Sequence, residues 1–129
     1  MSEAISLNLL ANPPKLEGTR IEMVESHHLK VSGTLRERDA AALLGAYFRE
    51  VHLQAIRQRQ VQVLLDVSEL TFVSASAFRL FLDWTSWILE NGKPYKLRVL
   101  TSRLVAWQKT SLPSIAALAE NVFDIERVD

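Results

Sequence analysis

Residues 64–82 read LLDVSELTFVSASAFRLFL. The stretch opens as the end of Val61–Val67 (VQVLLDV), a segment that is nearly all apolar. Such a run predicts a central β-strand covered on both faces. Asp66 follows the most apolar part, and a carboxylate there suits a turn fixed by a side-chain hydrogen bond. Phe72-Val73 ends the connection. FVSASAF then sets two serines and two alanines at the mouth of an apolar segment, which predicts a helix over Ala75–Glu90. Ser74 is placed as its N-cap, with its oxygen bonded to the backbone of Ser76 or Ala77. Asn91-Gly92 supplies the left-handed-capable residues found past a helix end, and Pro94 confirms the stop.

Working outward, the same signals repeat. Downstream, Lys96–Leu100 (KLRVL) reads as a strand and Leu104–Ala119 as helical. Pro113 falls inside that helix, and Ser111 can cap a new one with proline in its first turn, so a break is expected near Ser111. Val122–Val128 alternates and forms the last strand. Upstream, Asp39 is the expected N-cap of a helix over Asp39–Gln58, with Leu44, Tyr47, Phe48, Val51 and Ala55 on one stripe. Its basic end, RQRQ, suits a helix C-terminus. Thr19–Glu25 and His28–Leu35 form a hairpin around Ser26-His27. Residues 1–18 are an N-terminal arm or short strand. Ser6–Leu10 is the strand candidate, and Asn12-Pro13-Pro14 breaks regular structure. Residues 19–129 are then one α/β domain, a mixed central β-sheet flanked by helices, with at least some parallel crossovers.

Composition narrows the function classes. The 129 residues hold fifteen basic and fifteen acidic side chains and no cysteine. A net charge of zero gives no footprint for nucleic acid or an anionic membrane. Disulfides, thiol catalysis and cysteine-ligated metals are excluded. The apolar runs fall short of the ~20 residues that span a bilayer. The N-terminus has no basic start before its apolar stretch, so a secretory signal is not expected and the expected address is cytoplasmic.

The order of elements and the phrase LLDVSELTFVSASAFRLF resemble the STAS domain, the fold of bacterial anti-sigma-factor antagonists and of the cytoplasmic domain of sulfate transporters. VSGTL at Val31–Leu35 is similar to the family's earlier G-x-L signature, and AWQKTSLPSIAAL is similar to a subgroup of small stand-alone bacterial members. The similarity covers about Thr19 to Val128. It implies the element pattern above and a non-enzymatic module that binds a protein partner.

Laid on the family's Asp-Ser-Ser-Gly or Asp-Ser-Thr-Gly motif, Ser74 stands at the aspartate, Ala75 at the phosphorylated serine, Ser76 at the second hydroxyl residue and Ala77 at the glycine. The resemblance therefore implies that the phosphoacceptor-equivalent position, Ala75, has no oxygen to phosphorylate. Ser76 lies in the first helical turn, freer than the capping Ser74, and is the alternative phosphosite. A helix start is a good seat for a phosphate.

On a helical wheel, Arg79, Asp83, Ser86 and Glu90 cluster on one side of Ala75–Glu90. Phe78, Phe81, Leu82, Thr85, Ile88 and Leu89 suffice to cover a sheet, leaving Leu80, Trp84 and Trp87 as further apolar surface. Two placements are open for these: cover from the next helix, through Trp107, or a partner surface of the kind that aromatics favour. On the second, Ser74, Ala75, Ser76, Ala77, Leu80, Trp84 and Trp87 form the binding face.

Other chemistry is poorly supported. His27 and His28 are adjacent, so on a strand they point to opposite faces, and no third metal ligand is in view. No G-x-S-x-G pattern supports a hydrolytic triad from Ser74 or Ser76 with Asp66, and the four glycines are scattered. No cofactor is expected. The reading is a regulatory interaction module of the anti-sigma-factor-antagonist type, acting in bacterial partner switching. Its expected partner is an anti-sigma factor or a histidine-kinase-like ATPase, and a homodimer stays open. The alternative is a self-assembling scaffold or small-ligand-binding domain of the same fold outside sigma-factor control.

Overall fold

The chain enters the sheet through a hairpin. In a computed structural model, which describes residues 12–129, β1 (Thr19–Glu25) and β2 (His28–Leu35) pair antiparallel. The Ser6–Leu10 candidate lies outside the described residues. The two-residue turn places His27 at φ 63. Its ring Nε2 lies 2.6 Å from Gln58 Oε1. Gly33 is required by space as well as angle. Its φ is 93, and a Cβ there would sit 2.2 Å from the Gly18 carbonyl oxygen.

Helix α1 (Ala40–Arg57), β3 (Gln62–Asp66), β4 (Leu70–Val73), α2 (Ala75–Glu90), β5 (Lys96–Thr101), α3 (Ala106–Leu118) and β6 (Phe123–Arg127) follow. The mixed six-stranded sheet runs β1-β2-β3-β5-β6, with β4 also paired to β2. All pairs after the hairpin are parallel. The α/β expectation and the interior place of β3 are met. Strand β4 is new: β2 pairs with β3 at His28–Lys30 and with β4 at Gly33–Leu35. The Asp66 carboxylate makes that handover. Its Oδ1 accepts the Ser68 backbone N–H at 2.9 Å and the Ser68 hydroxyl at 2.6 Å, which is the turn role the sequence assigned to it.

Successive parallel strands are added in one direction, β2 to β3 to β5 to β6. Crossovers are almost always right-handed, so strands added this way put their helices on the same face. Burial agrees. Met23, Leu29, Leu65, Val99 and Ile125 form one row across the sheet, and Leu29, Leu65 and Val99 belong to the core cluster. The next row is Glu22, Lys30, Asp66, Leu100 and Glu126, all only half-buried. Arg98 pairs with Glu126 on that side. The expectation that β3 is covered on both faces is therefore corrected: it alternates, Val63 and Leu65 inward, Leu64 and Asp66 half-buried. Val61 lies outside the strand and is exposed.

Two helix expectations also need correction. Asp39 precedes α1 but makes no side-chain cap hydrogen bond. Helix α3 runs unbroken through Pro113. Pro113 lies on its exposed face, where water can serve the carbonyl that the ring leaves without an N–H. The end of α2 behaves as the sequence predicts. Gly92 (φ 80) donates to the Leu89 carbonyl at 3.2 Å and Lys93 to Ile88 at 2.9 Å, the paired bonds of a Schellman motif.

Candidate functional site

The starts of α1 and α2 lie side by side at the carboxyl end of the strands. The Ser74 N–H donates to the Leu35 carbonyl at 2.8 Å, joining the entry to α2 to the end of β2. Ser74 is the N-cap. Its Oγ accepts the Ala77 N–H at 3.1 Å and donates to the Glu37 carbonyl at 2.8 Å. The hydroxyl is thus committed to the helix start and to the loop entering α1.

Ser76 is also committed, contrary to its reading as the freer serine. Its Oγ accepts the Ala41 backbone N–H of α1 at 2.9 Å. Ala41 is in the first turn of α1, whose N–H groups lack intrahelical partners. The cap that Asp39 does not provide comes from the neighbouring helix. Ala75, between the two serines, is exposed and Ala77 is buried. Ala77 therefore belongs to the packing and leaves the expected binding face.

Arg38, Ala41, Ala42, Ala75, Ser76, Arg79 and Asp83 line a groove between the two helix starts. Arg79 and Asp83 approach to 3.9 Å across one helical turn. Such an exposed pair contributes little. The Arg36 guanidinium lies over the Phe72 ring, 5.8 Å from its centroid. Phe72, Leu43 and Leu82 are exposed apolar side chains on β4, α1 and α2.

The far part of α2 corrects the expected anchors. Leu80 and Trp84 are 1% and 0% exposed, so both are core and neither presents a surface. The buried stripe is Ala77, Leu80, Phe81, Trp84, Thr85 and Ile88, while Leu82 and Leu89, assigned to the sheet, face outward. The wheel is rotated because α2 packs on α1 as well as on the sheet. Trp84 meets Phe48 of α1 at a ring separation of 5.2 Å. Its indole N–H donates to the Tyr95 hydroxyl at 2.6 Å, and that hydroxyl lies 2.7 Å from His52 Nδ1. Burial, reinforced by the Arg49 charge, pushes the His52 pKa down to about 4. Trp87 is half-buried, with Arg49 over its ring at 5.0 Å. His28 pairs with Leu64 in the sheet, away from the groove.

Sequence reasoning missed the clamp made by α3. Trp107 Nε1 donates to the Leu70 carbonyl at 2.7 Å. Buried Gln108 donates to the carbonyls of Val67 and Leu70 and accepts the Ser102 N–H at 2.8 Å. These bonds hold the connection leading to the Ser74 turn. The arginines of the groove were also missed, for a polar face gives no cue to which charges meet across two helices. Among the described residues no helix is long and apolar enough to cross a membrane.

No protein-family model matches the chain, and no curated protein does. Solved structures are similar in fold. SiaC of Pseudomonas aeruginosa superposes with a TM-score of 0.63 at 18% identity, covering 89% of this chain and 94% of that one. A chain of the crystal structure of the diguanylate cyclase SiaD in complex with its activator SiaC, from the same organism, gives 0.63 at 15% identity, covering 91% and 96%.

Proposed function

We propose that this protein is a non-enzymatic regulatory module that binds a protein partner in bacterial partner switching, in the manner of the STAS-like anti-sigma-factor antagonists. Its contact surface is the Ser74–Ser76 turn with the outward side of α2. The carrying observation is the pair of abutting helix starts, each held by a serine of one turn, in a fold shared with SiaC, the activator of SiaD. Both hydroxyls serve the backbone, and Ala75, which the STAS resemblance sets at the acceptor position, carries no oxygen; together these favour a binding surface operating without the usual phosphoserine. Both serines being engaged also speaks against a hydrolase.

The likeness to SiaC favours a second choice of partner. In place of an anti-sigma factor or a histidine-kinase-like ATPase, the partner is a signalling enzyme such as a diguanylate cyclase. The test measures binding of the purified protein to each candidate from the same genome by calorimetry, alongside cyclase activity. Micromolar or tighter binding blocked by Ala75→Trp supports the module. Binding to none of the three classes refutes it, and an activated cyclase selects the second partner.

A further inference from the structure

We propose that the groove between the first turns of α1 and α2 seats an acidic side chain of the protein partner, held between Arg38 and Arg79. The inference rests on the partner-binding reading above and adds the chemistry of the partner.

Charge and shape carry it. Among the described residues, Arg38 is exposed and makes no ion pair or hydrogen bond, although it lines the groove. Arg79 meets only Asp83, at 3.9 Å, with its side chain 75% exposed. Arg36 adds a third guanidinium on the same loop, resting on Phe72. Against these stand Asp39, which is exposed, and Asp83, which lines the groove beside Arg79, while Glu37 turns its Oε1 into the protein, without a hydrogen-bond partner among the described residues. Three guanidiniums and three carboxylates thus balance at this end, but Arg38 is left without a side-chain partner and Arg79 with a loose one, so both can take a carboxylate from outside.

The wall between the arginines is Ala41, Ala42, Ala75 and Ser76. No side chain there is longer than a hydroxymethyl group, which leaves width for one from another molecule. A guanidinium binds a carboxylate in a planar, two-pronged geometry. Leu43, Leu82 and Phe72 lie on the elements that flank the groove and suit apolar neighbours of the acid. An open groove with two arginines on a neutral chain matches a short acidic-apolar protein segment better than a polyanion, which needs an extended basic face.

The test pans a library of random twelve-residue peptides displayed on phage against the wild-type protein and against the Arg38→Glu/Arg79→Glu double variant. Both arginines are exposed, and an unchanged melting temperature confirms the fold. Wild-type protein is expected to enrich peptides with aspartate or glutamate at one fixed position. Those peptides should bind the double variant at least about tenfold more weakly, and the variant should select lysine or arginine there. A neutral or basic consensus on the wild type overturns the acidic anchor. If that consensus is still blocked by Ala75→Trp, the contact surface stands without the acid. Acid-bearing peptides that ignore Ala75→Trp sit elsewhere and overturn both readings, as does the enrichment of no sequence. Tight binding to phosphatidylserine vesicles that requires Arg38 and Arg79 overturns the assignment to a protein.

Discussion

The Ser76 hydroxyl of α2 accepts the Ala41 backbone N–H of α1 at 2.9 Å, so one helix caps the other. A capping oxygen replaced by alanine costs about 1 kcal/mol. Ser76→Ala should therefore lower stability by about that amount. Ser76→Asp should cost less, because an anion between two helix N-termini is electrostatically favoured. Denaturant unfolding of the three proteins decides: equal midpoints for wild type and Ser76→Ala would mean that the bond contributes nothing.

Phosphorylation should fail on the native sequence. A kinase of the antagonist-directed type, incubated with ATP, is expected to leave the protein without a stoichiometric phosphate, since Ala75 offers no oxygen. Modifying Ser76 would disturb the bond to Ala41. Ala75→Ser should be tolerated, as the position is exposed at a helix start, and on the proposed reading it supplies the hydroxyl that a kinase would modify. Intact-mass spectrometry reads both proteins. One phosphate on native Ser76 would show that the acceptor has moved one residue along.

The clamp made by Gln108 should matter to stability. Its amide serves the Val67 and Leu70 carbonyls and the Ser102 N–H inside the protein. Gln108→Ala leaves the Ser102 N–H without its acceptor, while the Leu70 and Val67 carbonyls keep Trp107 Nε1 and the Leu70 N–H, and an unsatisfied buried group costs about 1–3 kcal/mol. A loss of at least about 1 kcal/mol in denaturant unfolding is expected. A loss under about 0.5 kcal/mol would mean that water replaces the amide without cost.

What the sequence made legible follows from the range of each signal. The period of apolar residues, the Ser74 cap and the Asn91-Gly92 stop are local, and each placed its element within a residue or two. Strand β4 was not legible, because LTFV is short and its pairing with Gly33–Leu35 is a long-range fact. The wheel of α2 failed for a similar reason. A helix beside both a sheet and another helix buries a stripe whose centre depends on both neighbours, so Leu80 and Trp84 went inward and Leu82 outward. The capping of α1 by Ser76 could not be read at all, since Asp39 supplied a plausible local cap. The groove arginines come from two helix starts 41 positions apart in sequence, Arg38 and Arg79.

Acid should weaken the fold through His52. Its side chain is fully buried, and desolvation with Arg49 nearby lowers its pKa to about 4. The ordinary value is about 6.5, so below that pH the unfolded chain takes up a proton that the folded protein refuses. This stability is fully present above pH 6.5 and is lost progressively down to pH 4, reaching about 2 kcal/mol at pH 5. His52→Gln should lose less between pH 7 and pH 5 than the wild type does, whatever its absolute stability. Parallel losses in the two proteins would clear His52 of any role.

Truncations along α2 should separate core from surface without any knowledge of the partner. Trp84 is 0% exposed, packed on Phe48 and bonded to Tyr95. Trp84→Ala opens a cavity and removes the indole donor to the Tyr95 hydroxyl, at a cost of about 3–5 kcal/mol. Tyr95→Phe keeps the ring but leaves the buried indole N–H unpaired, costing about 1–3 kcal/mol. Leu82, two residues before Trp84, projects outward, and Leu82→Ser should cost under about 1 kcal/mol. Urea unfolding of the three variants gives the ranking. A tryptophan variant no less stable than the leucine variant would return Trp84 to the surface and undo the packing of α2 against α1 described above.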